Sequence, residues 1–150
     1  MRAQRTLVDS AATEDLGAQL ARSFTPCIVY LHGELGTGKT TLTRGLLRGL
    51  GHQGKVRSPT YTLVEPYQVP QGTVYHLDLY RLGSPEELEW LGLRDMLGDQ
   101  ALLLVEWPER GTGVLPAADL EIYLEYAGDG RVVTLNAASA AGERLLAGLD

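Results

Sequence analysis

The stretch Gly33-Glu34-Leu35-Gly36-Thr37-Gly38-Lys39-Thr40 matches the pattern G-x-x-x-x-G-K-[ST] at every fixed position. The flanks agree with it. Cys27 to His32 is short, apolar and bounded by Pro26 and Gly33, which predicts a buried strand. From Lys39 onward, Leu42, Leu46 and Leu50 share one face and Arg44 and Arg48 another, which predicts an amphipathic helix ended by Gly49 and Gly51. In a strand, glycine turn and helix of this kind, several amide N–H groups converge on one anion, and the helix adds its positive dipole end. Lys39 is the residue type that reaches β- and γ-phosphates, and it is expected to face solvent. The Thr40 hydroxyl supplies a magnesium ligand. Mononucleotide binding follows from this stretch, whereas the base and the reaction do not.

A magnesium ion on a nucleotide needs a second anchor, usually an acidic residue at the end of an adjacent buried strand. Glu106 closes the run Leu102-Leu103-Leu104-Val105 and fits that place. Asp78 closes Val74-Tyr75-His76-Leu77 in the same way and competes for the role. His76 reads as a packed histidine. Between the loop helix and the next strand, Lys55 to Thr62 offers the hydroxyls of Ser58, Thr60 and Thr62 around Pro59, the composition of a segment that could sense a γ-phosphate.

Working outward, a first strand is expected at Thr6 to Val8, then a helix from Ser10 to about Phe24 with Asp9 or Ser10 as its N-cap. Further strands are expected at Tyr61 to Tyr67, Thr73 to Leu79 and Ala101 to Trp107, with one helical stretch from Pro85 through Met96. Leu120 to Tyr126 alternates strictly, and Asp129-Gly130 separates it from Arg131 to Asn136, so the pair reads as an antiparallel hairpin. Ala137 to Asp150 reads as a tail helix. The fold class is α/β, a P-loop NTPase-like mixed sheet with a parallel core, a C-terminal antiparallel hairpin and helices on both faces.

The 150 residues are enough for one domain, expected over 1–150. A composition 44% hydrophobic and 21% charged is that of a globular chain without a membrane span. One cysteine, Cys27, excludes an internal disulfide, and no secretory signal is evident, so the cytoplasm is the expected compartment. Net charge is −6, which argues against a dedicated duplex-DNA binder. Residues 1–60 nevertheless carry +4, from eight Lys/Arg against four Asp/Glu, so any anion site belongs to that basic half.

Four segments occur in order: Gly33 to Thr41, Ser58-Pro59-Thr60-Tyr61-Thr62-Leu63-Val64, His76-Leu77-Asp78-Leu79-Tyr80-Arg81 and Val105-Glu106-Trp107-Pro108. Together they closely resemble the TsaE family, also called YjeE, the small P-loop ATPases of bacterial tRNA threonylcarbamoyladenosine biosynthesis. The resemblance implies ATP binding at Gly36, Thr37, Gly38, Lys39, Thr40 and Thr41, with magnesium on Thr40 and Glu106. It also implies a nucleotide contact from Ser10, an acidic group near the phosphates at Asp78, and a basic nucleotide contact from Arg131 after Gly130. The implied partners are TsaB and TsaD, whose complex modifies adenosine 37 of tRNA, so that tRNA is reached through the complex. Thr37 stands where alanine is common in the family, a mild departure for a loop lined by amides. The catalytic set expected on this basis is Lys39, Glu106, Asp78 and Thr60. A small-molecule kinase would need an arginine-bearing lid, and after Trp107 only Arg110 precedes the strand hairpin. A guanine-reading switch module lacks its Asn-Lys-x-Asp sequence here.

Overall fold

Alternation along the central strands assigns each side chain to one of two layers. In β2 (Ile28–His32) and β5 (Leu102–Glu106), Val29, Leu31, Leu102 and Leu104 enter one apolar cluster. Ile28, Tyr30, Leu103 and Val105 meet the other. Burial on both faces is what a parallel strand requires, and it accounts for the unbroken Leu-Leu-Leu-Val run.

The computed structural model describes residues 1–150. Besides β2 and β5, the strands are β1 (Arg2–Leu7), β3 (Val64–Val69), β4 (Gly72–Asp78), β6 (Leu120–Ala127) and β7 (Gly130–Ala137). They form one seven-stranded sheet in the order β1-β7-β6-β2-β5-β4-β3. β6, β2, β5 and β4 run parallel, β3 returns antiparallel on β4, and β7 and β1 extend the other edge antiparallel. The helices are α1 (Ser10–Ala21), α2 (Lys39–Gly49), α3 (Glu87–Trp90), α4 (Leu93–Gly98) and α5 (Ala140–Leu146). Leu16 and Leu20 of α1, Leu42 and Leu46 of α2, and Leu145 of α5 cover one face. Leu88 of α3 with Leu93 and Met96 of α4 cover the other. This second cover reaches only the half of the sheet around β2, β5 and β4, because no residue of β1, β6 or β7 joins that cluster.

The parallel core, the hairpin and the two helical layers agree with the reading of the sequence. Several boundaries do not. The first strand spans Arg2–Leu7 rather than Thr6 to Val8, drawn out by its full antiparallel ladder on β7. α1 stops at Ala21, short of Phe24. The strand expected from Tyr61 starts at Val64, since Leu63 has φ 67° and its N–H turns back to the Pro59 carbonyl at 2.7 Å. The single helix expected from Pro85 to Met96 is two, broken where Gly92 takes φ 87°. The tail helix is confined to Ala140–Leu146, with Ser139 as its cap.

Candidate functional site

The chain must turn from the end of β2 at His32 into α2 at Lys39 within six residues. Gly36 and Gly38 make this possible by adopting φ 82° and 111°, values that an L side chain resists. α2 then starts with Gly38 as N-cap and no capping side chain, so its first-turn amides remain available to an anion.

Three charged side chains converge beside this loop. Asp78 and Glu106 end neighbouring parallel strands in register, and their alternation directs both to the α2 side of the sheet. Both are buried, at 6% and 4% exposure. Lys39, expected to face solvent, is itself only 5% exposed. Its Nζ donates to the Gly33 carbonyl at 2.6 Å, lies 4.0 Å from Glu106 Oε1 and sits 3.9 Å from the centre of the Trp107 ring. Burial pushes the Lys39 pKa down, and the charges of Glu106, Asp78 and Glu109 oppose that shift. Burial pushes the Asp78 carboxyl up. The Tyr80 N–H donated to Asp78 Oδ1 at 3.0 Å opposes the rise, and the Glu106 charge reinforces it.

His76, read as a packed residue, is fully buried and does more than fill space. Its Nε2 lies 2.6 Å from Glu106 Oε2, while Nδ1 has no partner. Placing the proton on Nε2 makes that contact a hydrogen bond and leaves only a lone pair unsatisfied, the less costly tautomer. One carboxylate oxygen of Glu106 is thereby fixed, and the other faces Lys39.

Two clefts meet at the glycine loop. The first, about 230 Å³, is bordered by Lys39, Thr40, Ser58, Thr60, Asp78 and Glu106, with Tyr80 and Trp107 at its wall. The second, about 160 Å³, is bordered by Asp9, Ser10, Thr13, Thr37 and Arg131. Gly36, Gly38 and Thr41 edge both. The residues singled out in the sequence are thus brought together around one loop, Gly33 contributing its carbonyl to Lys39. Ser58 and Thr60 hydrogen-bond each other at 2.7 Å, and the Leu63 carbonyl accepts the Asp78 N–H at 3.0 Å, tying this segment to the end of β4.

Other participants escaped the sequence reading. Asp9 settles the capping ambiguity, since it accepts from the Ala12 N–H at 2.9 Å and also borders the second cleft. Trp107 has φ 57° and ψ 50°, rare for a bulky residue, and brings its ring over Lys39. The sequence marked Trp107 only as a member of the segment Val105 to Pro108, without a role. Tyr126, exposed on the hairpin, donates to the Leu35 carbonyl at 2.6 Å, which nothing in its local sequence announced.

A parallel core with a glycine loop between a central strand and an uncapped helix, flanked by a buried lysine and two strand-end carboxylates, defines a P-loop NTPase-like protein. The family model described as threonylcarbamoyl adenosine biosynthesis protein TsaE matches residues 7–133. The chain belongs to the TsaE family. It is 51% identical over 119 residues to a tRNA threonylcarbamoyladenosine biosynthesis protein TsaE of Haemophilus influenzae, covering 79% of this chain and 75% of that one. It is 46% identical over 111 residues to the TsaE protein of a Synechocystis strain, covering 69% of each. Among solved structures, that of YdiB from Bacillus subtilis superposes with a TM-score of 0.84 at 30% identity, over 98% of this chain and 93% of that one. No helix is long and apolar enough to cross a membrane.

Proposed function

We propose that this protein is an ATPase of tRNA threonylcarbamoyladenosine biosynthesis, binding ATP with magnesium at the glycine loop and hydrolysing it in support of the TsaB and TsaD subunits in the cytoplasm. One domain, residues 1–150, carries the whole site. The observation that supports the reading best is the meeting of two clefts at one loop. A polyphosphate lying across Gly36 to Thr41 would place its terminal phosphate beside Asp78 and Glu106 and its nucleoside beside Ser10 and Arg131.

Lys39 holds the β- and γ-phosphates as a point charge, and the loop amides bind them directionally. The Thr40 hydroxyl and the Glu106 carboxylate suit magnesium, being hard oxygen donors, one of them already oriented by His76. When bound, the ion neutralises phosphate charge. Asp78 stands as an acidic group near the phosphates beside Glu106, and Thr60, which borders the same cleft, would sense the γ-phosphate. The first cleft is open, and the sequence supplies no lid over it. Water left there weakens every electrostatic contact to the transition state, so turnover by the isolated protein is slow and a docked partner raises it. Recognition of tRNA belongs to the complex.

The test follows phosphate release from ATP by the isolated protein, then with TsaB and TsaD, with ATP and GTP compared in competition. Slow release that the partners accelerate is expected. Fast release indifferent to partners would overturn the coupling, and transfer of the phosphoryl group to a small-molecule acceptor would make the protein a kinase.

A further inference from the structure

Five successive carbonyls of the glycine loop, from Gly33 to Thr37, are all hydrogen-bonded, and they divide into two sets. Gly33 O accepts from Lys39 Nζ, and Glu34 O accepts from both the N–H and the hydroxyl of Thr37, at 3.2 and 2.8 Å. The other three are taken by one element distant in sequence, the β6–β7 hairpin. Tyr126 Oη donates to Leu35 O at 2.6 Å, Arg131 Nη2 to Gly36 O at 3.2 Å and Arg131 Nε to Thr37 O at 3.1 Å. Tyr126 and Arg131 are cross-strand partners, and the guanidinium carbon lies 4.5 Å from the centre of the Tyr126 ring. The remaining fork nitrogen, Nη1, donates to the hairpin's own Gly130 carbonyl at 2.8 Å.

A peptide unit is planar, with C=O and the following N–H pointing in opposite directions. Pinning the carbonyl of residue i therefore fixes the direction of the N–H of residue i+1. The bond at Leu35 O sets the Gly36 amide, and the bond at Thr37 O sets the Gly38 amide. Neither amide has a partner within the protein, while the Thr37 amide is already engaged with Glu34 O. Glycines with φ 82° and 111° would otherwise be the most mobile units of the loop.

We propose that the tip of the β6–β7 hairpin is a brace for the glycine loop, in which Tyr126 and Arg131 are positioning residues that orient the Gly36 and Gly38 amides before a ligand arrives. This rests on the reading of the loop as a polyphosphate site and adds to it. Arg131 then acts mainly through the loop backbone, and its loss weakens binding of any polyphosphate, with or without a nucleoside attached. The affinity comes from order established in advance, so the loop does not have to be frozen on binding.

The test uses the full chain with Tyr126→Phe, which keeps the ring over Arg131 and removes one donor, and Arg131→Lys, which keeps the charge and removes the fork. Two readouts are needed: amide hydrogen exchange of the ligand-free protein at Thr37, the loop amide that is itself hydrogen-bonded, and calorimetric affinity for ADP and for inorganic tripolyphosphate with magnesium. Each variant is expected to exchange about fivefold faster at the Thr37 amide, the worth of one typical hydrogen bond to loop order, and to lose affinity for both ligands by a similar factor. Loss of ADP affinity with tripolyphosphate affinity unchanged would make Arg131 a nucleoside contact and overturn the brace. Unchanged exchange would overturn it as well. If the unmodified protein binds neither ligand, the polyphosphate reading fails, and the exchange measurement alone decides whether the hairpin orders the loop. Tyr126 is exposed, so its variant keeps the fold, and circular dichroism checks this for both.

Discussion

Replacing Asp78 with Asn is expected to stabilise the free protein while abolishing hydrolysis. Asp78 and Glu106 are register partners on adjacent parallel strands, so their Cα atoms lie roughly 5 Å apart and both buried side chains point to the same face of the sheet. Burial of Asp78 is the largest cost to its charge, and the Glu106 charge adds to it, by at most about 3 kcal/mol for two charges about 5 Å apart at an effective dielectric of about 20. The Tyr80 N–H and the Lys39 charge return part of this, yet the Asp78 carboxyl still titrates above its ordinary 3.8, so the net effect of its charge is unfavourable. Asparagine keeps an oxygen for the Tyr80 N–H and removes the charge. A net gain of about 1 kcal/mol is expected, or about 2–4 °C in a chain of this size.

The sign of the pH dependence is a second check. With its folded pKa raised, Asp78 holds more proton in the native than in the unfolded state between the two values, so wild-type stability rises as pH falls through that window. The advantage of Asp78→Asn should therefore be full above the folded pKa, shrink on acidification and vanish below about 3.8. Thermal unfolding of both proteins between pH 3 and 8, monitored by circular dichroism without nucleotide, measures it. A variant less stable than wild type at pH 7, or an advantage unchanged at pH 3, would refute the argument from unfavourable charge.

Glu106→Gln should fold normally, bind nucleotide in part and lose roughly 10²-fold or more in phosphate release, read in a steady-state assay. His76→Ala, by freeing the Glu106 carboxylate, should raise the magnesium concentration needed for half-maximal activity by about 10–100-fold, read in a metal titration. Lys39→Met should lower calorimetric ATP affinity at least about tenfold and also lower stability, because the buried Glu106 and Asp78 carboxylates lose the cation that faces them, which thermal unfolding by circular dichroism reads. Gly17→Ala would place a Cβ 2.3 Å from the Leu42 carbonyl at the α1–α2 crossing, and a loss of about 2–4 kcal/mol in urea unfolding is expected.

The parallel strands, the glycine loop and the hairpin were legible because each is encoded locally, as a continuous apolar run, a fixed glycine spacing or a strict alternation. The break at Gly92 was also written in the sequence, since a glycine inside a helical run invites a positive φ, but the apolar spacing on either side hid it. The false start at Tyr61 has a different origin. Tyr61, Leu63 and Val64 have the composition of a strand, yet the chain there turns to bond Pro59 and Asp78, a tertiary demand that outweighs propensity. Glu106 and Asp78 could be nominated from their places after apolar runs, but their adjacency depends on register. The bond from His76 to Glu106 spans 30 residues and that from Tyr126 to Leu35 spans 91. Periodicity carries no information on contacts of that kind.

Charge at this sheet edge explains why the site should discriminate among ligands. Asp78, Glu106 and Lys39 are all buried, and two negative groups face one positive one. Before a ligand binds, Lys39 is satisfied by the Gly33 carbonyl and the Trp107 ring. A polyphosphate must replace those contacts and bring further negative charge toward two carboxylates in a poorly screened setting, where repulsion is several times stronger than in water. The Gly36 and Gly38 amides and the α2 dipole offset part of this, but none of them carries a full charge. On the proposed reading, a divalent cation held by Thr40 and Glu106 would offset this repulsion. The carboxylates that oppose a bare polyphosphate would then favour its metal complex, and the unfavourable charge retained at Asp78 would be the cost of that selectivity.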